Sequence, residues 1–146
     1  MPKFFNLRQA ESLIPEVESA IRDAIALKGE YATAEIEVQE RARRITMSGG
    51  VHVNLSEVID LKGRRDDRAA RLKAAIENIH GFGCLVKDLD IGLIDFPTLF
   101  RGEEVYLCWK LGEPAIEFWH GVQEGFRGRK KIDQDFLDHH KGELPN

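Results

Sequence analysis

No run in this sequence approaches the roughly 18 consecutive apolar residues that a membrane-spanning helix needs. Cysteine is scarce. Cys84 and Cys108 are the two thiols, too few for a disulfide framework and not arranged as C-x-x-C, so they read as reduced, half-buried thiols. Aromatic residues make up only 8% of the chain against 32% charged residues, a balance that suits exposed helices better than a two-sided sheet. Positive charge is not in excess either. A net charge of −4 and a pI near 5.8 argue against a generic nucleic-acid binder, though not against a local basic surface. Met1-Pro2-Lys3-Phe4-Phe5 gives way at once to polar residues, so no signal peptide is expected and the cytoplasm is the expected compartment. Also missing are G-x-G-x-x-G, the Walker A pattern, H-E-x-x-H and G-x-S-x-G, and the commonest enzyme classes lose support with them.

What is present begins with a helix start. Asn6 followed by Gln9 is a capping-box pattern, with Phe5 and Ala10 placed as a hydrophobic staple. From Leu13 the apolar positions Val17, Ala20, Ala24, Leu27, Tyr31, Ala34 and Val38 alternate four and three apart, a coiled-coil seam. The pattern predicts a helix from Leu7 to about Met47, roughly 60 Å long, with Pro15 and Gly29 as weak points. Ser48-Gly49-Gly50 breaks it, and Asn54 with Glu57 repeats the capping signature for a second helix that ends at Gly81 and Gly83. So short a link makes the helices antiparallel neighbours.

Beyond Gly83 the period changes from helical to two. Leu85–Lys87, Gly92–Phe96, Glu104–Leu111 and Ala115–His120 read as strands, and a polar tail with a short helix near Asp135 follows from Gln123. The expected organisation is therefore one domain over 1–146: a helical hairpin over 6–81, an antiparallel sheet over 83–122 and the tail over 123–146.

Three segments carry a resemblance. Val86-Lys87-Asp88-Leu89-Asp90-Ile91-Gly92-Leu93-Ile94-Asp95-Phe96-Pro97 is the first. Val105-Tyr106-Leu107-Cys108-Trp109-Lys110-Leu111-Gly112-Glu113-Pro114, continuing through Phe118-Trp119-His120 to Gly125-Phe126-Arg127-Gly128-Arg129, is the second. The opening Leu7 to Val17, ending in Leu-Ile-Pro-Glu-Val, is the third. Together they resemble the bacterial family termed domain of unknown function 2203 over nearly the whole chain. The chain departs from that pattern at Lys131-Ile132, where Pro-Leu is expected, and its tail is extended. The resemblance implies no activity, cofactor or mechanism.

Strand alternation offers one place for chemistry. If Val105, Leu107 and Trp109 pack on the helices with Ile94, Phe96, Ile116 and Phe118, the opposite face gathers Asp95, Tyr106, Cys108, Lys110, Glu117 and Trp119. Such a set could hold a small ligand or a metal, with Asp95, Glu117 and His120 the metal candidates and Arg127 and Arg129 reaching the same edge. A solvated face with cross-strand ion pairs accounts for the same residues and is the commoner outcome. Glu117-x-x-His120 has helical metal-pair spacing on strand-like sequence, where residues three apart diverge. Asp88 and Asp90 suit a cation loop or simply a turn, and His139 and His140 read as solvated.

The basic cluster Arg127, Arg129, Lys130 and Lys131 around Gly128 suits an anion. Residues 62–73 carry six bases against two acids, whereas residues 11–40 carry eight acids against two bases. That opposition is expected between facing helices; an RNA-contacting arm is the alternative, weakened because no aromatic interleaves Lys62 to Lys73. The reading is thus an α+β fold, a long antiparallel, coiled-coil-like helical hairpin on a three- to four-stranded antiparallel sheet. A non-enzymatic interaction module that forms a homodimer through its hairpin is the leading function, with a ligand, metal or enzymatic site on the polar sheet face as the alternative.

Overall fold

The computed structural model describes residues 3–50 and 53–142. Helix α1 runs unbroken from Leu7 to Met47. Its capping box closes as the sequence requires: Asn6 Oδ1 accepts the Gln9 N–H at 2.7 Å, and Gln9 Oε1 accepts the Asn6 N–H at 2.9 Å. Pro15 sits inside the helix without ending it. Helix α2, Leu55–Gly81, is capped by Asn54, which takes the Glu57 N–H at 3.1 Å. Here the box stays half formed, because the Glu57 carboxylate is engaged with Arg41 of α1. Neither Gly63 nor the charged stretch around it interrupts α2.

The helices lie against each other along the seam, and Arg64–Glu37, Arg65–Glu35 and Arg68–Glu30 join Arg41–Glu57 across it. The opposed charges of the two helices are therefore spent on one another. Each exposed pair stabilises by no more than about 1 kcal/mol, so together they set register more than they supply stability.

Among the described residues six strands form one antiparallel sheet where three to four were expected. Strands β1 (Leu85–Asp88), β2 (Leu93–Phe100), β3 (Glu103–Lys110), β4 (Phe118–Gly121) and β5 (Lys130–Lys131) lie in that order. β6 (His140–Lys141) pairs with the far end of β2. The expected tail is thus mostly structured, although its positions 143–146 lie outside the described residues. Pro97 fails to stop β2, whose carbonyl at that point accepts the Phe5 N–H at 2.7 Å. The short helix α3, Gln134–His139, packs Phe136 against both Phe100 and Trp119, which also touch each other. His140 is not solvated: it stacks on Phe136 and its Nε2 accepts the Leu7 N–H at 3.0 Å, tying the tail to the start of α1.

The core lies where the sheet meets only the sheet-proximal half of the hairpin. Val17, Ile21 and Ala24 of α1 and Ile79 of α2 pack with Ile94, Phe96, Leu107 and Trp109. Ile21 stands outside the coiled-coil seam and widens the apolar stripe where α1 must serve both α2 and the sheet.

Two glycines test this packing in opposite directions. Gly92 has φ +67°, and a Cβ there would stand 2.6 Å from Leu111 Cβ. Gly92→Ala is expected to destabilise by about 1–3 kcal/mol in urea denaturation. Gly63 lies inside α2 with nothing within 4 Å, so Gly63→Ala should stabilise by about 0.5–1 kcal/mol.

Candidate functional site

The register of β2, β3 and β4 decides what the sheet's far face holds. Asp95 pairs with Cys108, Cys108 with Phe118, and Tyr106 with His120. Paired residues share a face, so Asp95, Tyr106, Cys108, Phe118 and His120 all point away from the helices. The expectation for the β4 stretch is corrected here. The chain turns through residues 111–117 instead of starting a strand at Ala115, so the alternation restarts at Phe118. That shift by one residue exchanges the two faces. Trp119 packs on the helix side against Phe136, Glu117 lies exposed before the strand, and His120 joins Asp95.

This face is not a solvated surface at its centre. Asp95 and Cys108 are 0% exposed and His120 is 3% exposed. His120 Nε2 lies 3.0 Å from Asp95 Oδ1, and its Nδ1 lies 2.9 Å from the Gly121 carbonyl. Both ring nitrogens thus face acceptors, which favours the doubly protonated ring. Burial works against that charge, but the bonds to Asp95 and Gly121 outweigh it and hold the His120 pKa above its ordinary value. The second carboxylate oxygen, Asp95 Oδ2, has no hydrogen-bond partner among the described residues, although the same Nε2 is only 3.0 Å away. One N–H cannot satisfy both oxygens. Burial, with the Asp95 charge adding to it, pushes the Cys108 thiol up to about 12; burial alone pushes Cys84 up to about 11. Tyr106 is raised by burial and nearby carboxylates, and Lys87 Nζ sits 4.8 Å from the centre of its ring.

The chain after β4 covers this centre. Arg129, over the Phe118 ring at 4.0 Å and the Phe126 ring at 4.9 Å, reaches both Glu113 oxygens at 2.7 Å from one terminal nitrogen. Glu113 also accepts the Lys110 N–H at 2.7 Å, so one carboxylate fastens the 111–117 turn to β3 and to the covering segment. Lys110 lies on the same face but turns toward Phe126, 5.8 Å from its ring centre. Arg127 is exposed in the 3-10 turn Phe126–Gly128 and does not join the centre. The anion expected at Gly128 meets a carboxylate instead: a Cβ there would lie 3.0 Å from Glu124 Oε2. Asp88 Oδ1 accepts the Asp90 N–H at 3.0 Å and Asp90 pairs with Lys28, the turn chemistry that competes with a cation loop.

Of the residues expected at the site, Asp95, Tyr106 and His120 converge, Arg129 and Lys110 lie at its cover, and Glu117, Trp119 and Arg127 stand apart. Cys108 is the member whose role the sequence undervalued. Pairing β2 with β3 in register would have placed it opposite Asp95, but its value depends on His120, whose side was hidden by the irregular turn.

Thiol alkylation measures how closed this face is. At pH 8 iodoacetamide should label neither Cys84 nor Cys108 in the native chain and both in denaturant, because the reactive thiolate is suppressed by burial. Arg129→Ala removes part of the cover and should speed labelling of Cys108 selectively, as read by mass spectrometry of the peptides.

Comparison with curated proteins finds no match, and comparison with solved structures finds none either. One family does match, described as "Uncharacterized conserved protein (DUF2203)", over residues 3–132. That span takes in both helices, the five strands β1 to β5, the Asp95–Cys108–His120 centre and its cover, leaving α3 and β6 outside it. On that match the chain belongs to the family of domain of unknown function 2203.

Proposed function

We propose that the chain is a non-enzymatic interaction module that self-associates through the distal half of its helical hairpin. The observation carrying this reading is the poverty of burial in α2, which is 27 residues long and buries one of them, Ile79. In α1 burial ends at Ala34, thirteen residues before Met47 closes the helix. Helices in proteins draw most of their stability from a packed apolar face, and this half of the hairpin buries little of one.

Large apolar side chains lie open on this distal half. Ile36 is 58% exposed, Leu55 66% and Ile59 60%. Leu55 and Ile59 are one turn apart on the same side of α2. Ile36 and Leu61 line a groove of about 350 Å³ with Arg41 and Arg44 beside them. Fully burying each such side chain is worth about 1.5–3 kcal/mol.

A second copy of the hairpin suits this surface. Two hairpins related by a two-fold axis make a four-helix bundle, each patch meeting its own counterpart. In that arrangement the acidic α1 of one copy runs along the basic α2 of the other, repeating the complementarity already seen within the chain. The same intramolecular pairs engage Arg64, Arg65 and Arg68, the residues on which an RNA-contacting arm would rely. Among the described residues no helix is long and apolar enough to cross a membrane. Two free thiols fit a reducing compartment such as the cytoplasm.

Sedimentation equilibrium over a micromolar range tests the reading. The wild type should sediment as a dimer, and Leu55→Asp with Ile59→Asp should shift it to monomer while the far-ultraviolet helical signal of the sheet-proximal half persists. A wild type that stays monomeric at the highest concentrations contradicts it.

A further inference from the structure

The centre on the far sheet face has a feature that neither a packed core nor a simple ion pair requires. We infer that Asp95, Cys108 and His120 form a binding site for a divalent cation of the zinc class, held by one Asp95 carboxylate oxygen, Cys108 Sγ and His120 Nε2. One ligand atom from each residue falls within 4.8 Å of the others, and all three residues are buried. Zinc–ligand distances of about 2.0–2.3 Å place tetrahedral donors roughly 3.3–3.8 Å apart, so Nε2 and the Asp95 oxygen, now 3.0 Å apart, open slightly, and any pair near the 4.8 Å limit closes by about 1 Å. They come from β2, β3 and β4, neighbouring strands whose ladders fix the backbone beneath them.

Two independent details point to a ligand here. Asp95 Oδ2 is buried without a hydrogen-bond partner among the described residues, a costly state for a carboxylate oxygen. A cation bound to that oxygen removes the cost. His120 is already oriented as metal-bound histidines are: Nδ1 lies 2.9 Å from the Gly121 backbone carbonyl, which fixes the ring with Nε2 directed at the centre. The alternative is a buried Asp95–His120 ion pair with the Cys108 thiol leaning on the same carboxylate, in which one N–H is shared between two oxygens 3.0 Å away.

The donor set selects the ion. A thiolate and an imidazole favour zinc and its neighbours over magnesium or calcium, which prefer oxygen. Charge also closes: the dication is balanced by one carboxylate and one thiolate, so the loaded centre is neutral and suited to its burial. Arg129 adds no net charge nearby because Glu113 holds it. On binding, Sγ and Nε2 each form a bond to the ion; the Cys108 proton, and any proton on Nε2, leave to solvent. Three protein ligands leave a fourth tetrahedral position for a water or an exogenous ligand.

Because the centre is sealed, the ion should enter as the chain folds. Refolding from denaturant with Co²⁺, followed by removal of free metal, should yield one cobalt per chain by elemental analysis. The loaded protein should show a near-ultraviolet thiolate-to-cobalt band and the intense visible bands of tetrahedral cobalt. Cys84→Ser should keep both signals. Cys108→Ser should lose the thiolate band, and Asp95→Asn should weaken Co²⁺ binding at least about tenfold, on the scale seen when supporting groups are removed. Should either variant fail to fold, the wild type decides alone, and no retained cobalt or no thiolate band overturns the site; where Cys108→Ser folds, a thiolate band that survives in it overturns the site too.

Discussion

The pairing of β2 with β3 is the constraint on which the rest of the structure depends. Eight residues of each strand pair without interruption from Leu93–Lys110 to Phe100–Glu103. That register sends Ile94, Phe96, Leu107 and Trp109 to the helices and Asp95, Tyr106 and Cys108 to the other side. The turn that sets it is two residues long, with Arg101 at φ 53° and Gly102 at φ 82°, the signs of a type I′ hairpin turn. A non-glycine residue in that conformation is disfavoured, and Arg101 is restrained by its bond to Asp135 and by its N–H to the His139 carbonyl at 3.1 Å. The C-terminal helix α3 therefore supports the register of a hairpin turn 34 residues before Asp135 in the chain.

The helices were legible in the sequence because their signals are local. Asn6 with Gln9, and Asn54 with Glu57, mark starts through side-chain bonds three residues long, and the break at Ser48-Gly49-Gly50 needs no tertiary information. The long β3 was equally legible, since alternation over eight residues has one parity. Where the reading failed, the information was non-local. The 111–117 turn carries Ile116 into the core without forming a strand, so apolar content before Phe118 gave β4 the wrong phase. β5 and β6 are two residues each and exist only because the sheet edges offer partners. The buried centre was half visible for the same reason: Asp95 and Cys108 follow from one ladder, and His120 required the next.

Two ends of the molecule thus obey different rules. At the sheet end, charges are buried and nearly all are answered, Arg129 by Glu113 and His120 by Asp95 and the Gly121 carbonyl, which rigidifies that half of the fold. Along the distal hairpin, ion pairs hold two helices in register while apolar side chains face outward, and little burial opposes fraying. Such a surface leaves Ile36, Leu55 and Ile59 open to solvent. The proposed second copy would supply the shape and the charge pattern at once.

Amide hydrogen exchange across the hairpin, measured at low and at high protein concentration, tests this account most directly. If a second copy completes the arm, amides from Ile36 to Met47 and from Leu55 to Arg65 gain protection as concentration rises, while those of β2 and β3 keep theirs unchanged. Protection of the distal hairpin that is the same at both concentrations would show that the arm is stable alone, and would contradict it.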